Sequence, residues 1–176
     1  MSFKLILIRT SSGDSPTVHY DRERKDEEDA GSPLPIGIQL QNQTSRRVRE
    51  LDPAYDMLPG HGGIRLAPRE ESPRALVDIH EDRVILRLTG RYAAIDPEAA
   101  FASLWRLLDA FPENNGFAVV DPQHPEGPRI INRHADEAEV RERFARWLET
   151  HEAVEPPAGE KPAAGRRWWS KLLGSR

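Results

Sequence analysis

Apolar residues along this chain fall into short periodic blocks separated by Pro, Gly and charge. Residues 3–9, Phe-Lys-Leu-Ile-Leu-Ile-Arg, are mostly aliphatic and predict a strand. Thr10 to Pro35 is rich in Ser, Gly, Pro and charge, and its centre, Asp21–Asp29, holds six acids and three bases. Such a run has nothing to bury and predicts a solvated loop, with an acidic docking loop as the functional alternative. Ile36–Leu40 predicts a short extended piece. Gln41–Leu51 predicts a helix whose apolar stripe is only Val48 and Leu51, with Thr44 or Ser45 as its cap and Pro53 as its stop. Tyr55–Gly63 predicts a turn-rich loop, and Ile64–Ala67 a short strand.

Period-two alternation then runs through Ala75, Val77 and Ile79, and returns after Glu81-Asp82 through Val84, Leu86 and Leu88. This predicts an antiparallel hairpin. Asp96 is a good N-cap, Pro97 suits the first helical position, and Phe101, Leu104, Trp105, Leu108 and Phe111 recur with helical spacing. Pro112 to Gly116 stops that helix, and Phe117–Val120 predicts an interior strand ended by Asp121-Pro122. A last helix starts near Asp136, with Glu139 in capping-box spacing and Val140, Phe144, Trp147 and Leu148 as its buried stripe.

The order predicts an α+β fold: a mostly antiparallel sheet with two amphipathic helices on one face, in a ferredoxin-like or related sandwich. Residues 1–150 form this single domain, with the acidic loop 10–35 inside it. Residues 151–165 turn to Glu, Pro, Ala and Gly and read as a linker. Residues 166–176 form a separate basic tail.

Composition narrows the chemistry. A chain of 176 residues supports one full core and needs no staple. With no Cys, disulfide scaffolds, zinc fingers, iron–sulfur clusters and thiol nucleophiles are excluded. A net charge of −4 argues against nucleic acid as the partner. The N-terminal apolar run is too short for a signal peptide and no stretch suits a membrane span, which predicts a cytoplasmic protein. Basic residues are overwhelmingly Arg, a usage associated with GC-rich bacterial genomes.

No Walker-type phosphate loop, dinucleotide glycine fingerprint, Gly-x-Ser-x-Gly elbow or His-Glu-x-x-His pair occurs, and no cofactor or metal is expected. Three features carry candidate chemistry. Pro59-Gly60-His61-Gly62-Gly63 offers an anion nest with His61 as acid or base, or simply a turn. Asp121, at a strand end, with His124 and His134 could serve a metal or acid–base site, or be plain turn chemistry. The tail is the third. On a helix Trp168 meets Leu172, and Trp169 meets Leu172 and Leu173, while Arg166, Arg167, Lys171 and Arg176 bring +4. With −4 overall, the rest of the chain carries −8. A basic segment bearing Trp suits an anionic membrane surface or a partner's hydrophobic groove; the alternative is that it folds back onto the body.

Residues 75–131 resemble a loose group of small bacterial proteins, some regarded as immunity-like or associated with polymorphic toxins. The carriers are Glu81-Asp82-Arg83-Val84-Ile85-Leu86, the helix Pro97–Phe111, and Gly116-Phe117-Ala118-Val119-Val120-Asp121-Pro122-Gln123. The usual aromatic before Asp-Pro-Gln is Val120 here. The lack of catalytic motifs, the acidic balance and this resemblance together predict a non-catalytic binding protein, immunity-like or an adaptor, whose partner is another protein. The competing expectation is a small enzyme or metal-binding protein using Asp121, His124 and His134, with His61 as helper.

Overall fold

The computed structural model describes residues 2–10, 34–60, 62–70, 72–112 and 115–151. His61, the acidic run 21–29 with most of its loop, and the linker and tail from residue 152 onward lie outside the described residues.

Strand β1 (Ser2–Arg9) sends Phe3, Leu5 and Leu7 to one face and Ile6 and Ile8 to the other, and all five are buried. Burial on both faces suits a strand in a sheet interior. β1 pairs antiparallel with β5 (Arg83–Thr89) on one side and β6 (Phe117–Asp121) on the other. Leu5 faces Leu86, Leu7 faces Val84 and Val119, and Ile6 faces Val120. With β2 (Tyr55–Gly60), β3 (Gly63–Pro68), β4 (Leu76–His80) and β7 (Arg129–Ile131), the order is β2-β3-β4-β5-β1-β6-β7 and every pairing is antiparallel. The α+β architecture is therefore as expected. A ferredoxin-like unit alternates its strands and helices as β-α-β-β-α-β, whereas here β2, β3, β4 and β5 follow one another as a meander in a seven-stranded sheet, so it is a related sandwich.

Helices α1 (Ile38–Leu51), α3 (Pro97–Leu107, tightened at its end by a 3-10 turn, Leu108–Ala110) and α4 (Glu137–His151) cover one face; α2 (Gly90–Ala93) is a single turn leading into α3. Val48, Phe101, Leu104 and Phe144 from these helices join Phe3, Leu5, Val77 and Leu86 in one continuous core. Its centre is aromatic: Phe3 meets Phe144 edge-on at 5.4 Å, and Phe101 lies 5.7 Å from Phe144. Such pairs add about 0.5–1.5 kcal/mol beyond their area burial. On the opposite face Ile6, Ile8 and Val120 make a second, smaller cluster.

Several local expectations need correction. Residues 55–60 are an edge strand rather than a loop. Asp56, Pro59 and Gly60 disguise β2, and Pro is tolerated at a sheet edge because no second ladder needs its missing N–H. α1 begins at Ile38, so Ile38–Leu40 are helical and not extended. Thr44 and Ser45 are not caps. They lie on the buried stripe with Gln41 and Val48, and the Ser45 hydroxyl donates to the Gln41 carbonyl at 2.8 Å. The Gln41 amide in turn donates to the Ile36 carbonyl at 2.8 Å, so this polar stripe is satisfied as it is buried. α3 starts as read: the Asp96 carboxylate accepts from the Ala99 N–H at 3.0 Å. At α4 the capping box does not form. The Asp136 carboxylate accepts from the Asn132 N–H at 2.8 Å, and Glu139 turns to Arg129 at 2.6 Å. β7, which carries Arg129, is an addition to the predicted elements.

On the face without helices, Asp78 of β4 is bridged by Arg65 of β3 at 2.5 Å and by Arg87 of β5. Burial alone would push this carboxyl up, but the hydrogen bonds and charges of Arg65 and Arg87 outweigh it and hold Asp78 below its ordinary value. A depressed folded value means that the stabilisation is complete above the unfolded value of about 3.9 and is lost as pH falls through the folded one. Asp78→Asn is expected to lower stability at neutral pH by about 1–2 kcal/mol. Urea unfolding in steps from neutral pH to below 4 checks this: the gap between the two proteins should narrow as the medium turns acid. A gap that stays constant down to acid pH contradicts it.

Candidate functional site

Asp121 closes β6 and shares the helix-covered side with Phe117 and Val119. It is 0% exposed. Its Oδ2 is paired with Arg143, which projects from α4, and its Oδ1 accepts from the Gln123 N–H at 2.8 Å across a two-residue turn. Arg143 is itself buried, and its Nε has no hydrogen-bond partner. Burial, helped by repulsion from Arg146, draws its pKa below the ordinary guanidinium value. The pair is a buried strut between sheet and helix. The approach of α4 also has a polar seam. The His124 Nε2 lies 3.4 Å from a Glu139 oxygen that Arg129 holds at 2.6 Å, while His124 Nδ1 accepts from the Glu126 N–H at 3.3 Å. A neutral imidazole accepting at Nδ1 carries its proton on Nε2, facing Glu139. His134 is exposed, and its N–H donates to the Asn132 side chain at 2.9 Å in the turn before α4.

Asp121, His124 and His134 thus have three separate partners: Arg143, Glu139 and Asn132. Among the described residues no group of three His, Asp or Glu is placed to hold a metal ion. Of the Pro59–Gly63 motif, His61 lies outside the described residues, and the glycines around it serve the hairpin. Gly62 has φ 72°, in the left-handed region that favours glycine. A Cβ on Gly63 would sit 1.9 Å from the Ile79 carbonyl oxygen, so only glycine lets β3 approach β4 there. Of the tail residues, Arg166, Arg167, Trp168, Trp169, Lys171, Leu172 and Leu173, all lie outside the described residues.

A cleft of about 380 Å³ opens elsewhere, where the end of α1, the turn before β4 and the outer side of α3 meet. Asp52, Tyr55, Arg74, Ser103 and Arg106 line it, beside the walls Leu51 and Leu107. Asp52 accepts from Arg74 at 2.6 Å through one oxygen and from the Ala54 N–H at 3.0 Å through the other. The Tyr55 hydroxyl is buried, donates to the Ala75 carbonyl at 2.6 Å, and is met by the Ser103 hydroxyl. Burial pushes its pKa up to about 12, partly offset by Ser103.

Sequence reading missed Arg143 and the cleft. Arg143 did carry a signal: it lies one turn from Val140 and Trp147 on an apolar stripe, and an arginine there needs a buried partner. The cleft carried none, because its residues come from three separate stretches of the chain.

Arg143→Met leaves the Asp121 carboxylate buried without its cation and is expected to cost about 3–5 kcal/mol, whereas adding Asp121→Asn should restore most of that loss. Urea unfolding of both single variants and the double variant measures it; purely additive losses contradict the strut. Tyr55→Phe should cost about 1–3 kcal/mol by orphaning the Ala75 carbonyl. In alkaline absorbance titration one of the three tyrosines should ionise only near 12, and that phase should vanish in the variant. The folded value lies above the unfolded value of about 10, so this contribution is full below pH 10 and is lost as the pH climbs toward 12.

Comparison with protein-family models, curated proteins and solved structures finds no match to this chain, and the residues just described are the ground on which a function rests.

Proposed function

We propose that this protein is a non-catalytic cytoplasmic binding protein, immunity-like or an adaptor, that works by contact with another protein. The use made of Asp121 carries the reading. A carboxylate at a strand end is well placed for acid–base work, yet here it is committed to Arg143 inside the body. Such an acid holds a scaffold together; a general acid or base has to reach a substrate proton. The charge distribution supports the same reading. With −8 outside the tail, the body suits a basic partner, because complementary fields steer encounter and suppress wrong partners.

The tail adds a second attachment. Its four cations and two tryptophans match an anionic lipid surface, where each cation near the surface contributes about 1 kcal/mol. No helix among the described residues is long and apolar enough to cross a membrane.

Affinity purification of the full chain from its native host should recover one protein in stoichiometric amount; recovery of none overturns the binding role. Deleting residues 166–176 should leave the melting temperature unchanged and abolish sedimentation with phosphatidylglycerol vesicles. Sedimentation that survives the deletion removes the tail from the account.

A further inference from the structure

The cleft against α3 is built for a ligand of one charge. It holds two guanidinium groups, Arg74 and Arg106, and one carboxylate, Asp52, which leaves one net positive charge. Asp52 engages Arg74 through Nε alone, at 2.6 Å. The terminal nitrogens of Arg74 and the whole Arg106 guanidinium are outside any ion pair or hydrogen bond among the described residues. The other walls are apolar or small: Leu51, Pro73, Ala102 and Leu107. The floor is firm, because Ser103 and Tyr55 are already committed to each other and to the Ala75 carbonyl.

We propose that this cleft binds a small monocarboxylate with a compact apolar body. A guanidinium fork matches a carboxylate in bidentate geometry, and Arg106 is free to supply it. The leucine and proline walls then bury the apolar part. A volume of about 380 Å³ falls at the lower end of small-molecule pockets. A phosphate dianion fits worse, since its second charge would stand against Asp52 where only one net positive charge is offered. This site is independent of protein contact through the acidic body and of the tail.

Nuclear magnetic resonance titration of the full chain with benzoate, phenylacetate and hexanoate tests the idea, with benzamide and inorganic phosphate as comparators. The carboxylates should move the amide signals of Ala99, Ala102 and Ser103 saturably. Benzamide and phosphate should bind at least about tenfold more weakly, the scale of one charge-assisted contact. Arg106→Gln should weaken the carboxylates by a similar factor, and Ala102→Leu, which fills the cleft, should abolish their effect. Both positions are exposed, so both variants should melt with the parent chain. The proposal is overturned if no carboxylate shifts these signals, if benzamide or phosphate matches the carboxylates, or if Arg106→Gln retains full affinity.

Discussion

Strand β1 has no polar face to turn to water. Phe3, Leu5 and Leu7 point one way and Ile6 and Ile8 the other, so the strand can be satisfied only with a neighbour on each side and cover above and below. That requirement organises the rest. β5 and β6 take the two edges, and their own buried residues, Leu86, Leu88 and Val119, extend the apolar floor in both directions. The floor must then be roofed, and α3 and α4 bring Phe101, Phe144 and Trp147 down onto Phe3. The position of the cleft follows in turn. α1 and α3 reach the sheet together near β2, and Arg74 and Arg106 line the gap between α1's last turn and α3's outer side.

Two buried aspartates, one on each side of the sheet, show how charge is managed in this fold. Asp78 draws on two arginines that are themselves half in water, so its partners keep part of their hydration. Asp121 draws on one arginine that is itself buried. The first arrangement is tolerant and the second is unforgiving, because a buried charge that loses its only counter-charge has no solvent to fall back on. An acid locked in that way serves architecture.

The parts of the fold legible in the sequence were those coded by local periodicity. The β4–β5 hairpin shows in the alternation from Val77 to Leu88, and α3 in Asp96, Pro97 and the spacing from Phe101 to Leu108. The parts that escaped depend on distant partners. β2 is a strand because β3 pairs with it, in spite of Pro59 and Gly60. α1 is longer than its apolar residues suggest, because Gln41 and Ser45 bury themselves by hydrogen bonding to backbone carbonyls. Asp121 could be picked out as special from its place at a strand end, but its role is set by Arg143, a residue on another element. The cleft is wholly non-local, and no periodic pattern in any one segment marks it.

The central place of the first strand also bears on how the chain is made. Leu5 leaves the ribosome early, yet its partner Leu86 follows only when about half of the chain has been translated, and Val119, opposite Leu7, later still. Throughout that interval a sticky aliphatic segment with unpaired backbone on both edges is held without its mates. Pairings of such long sequence separation close slowly, and exposed strand edges invite association with other chains. Synthesis of this protein is therefore a race between completing β5 and losing β1 to a neighbour, a natural point for chaperone help.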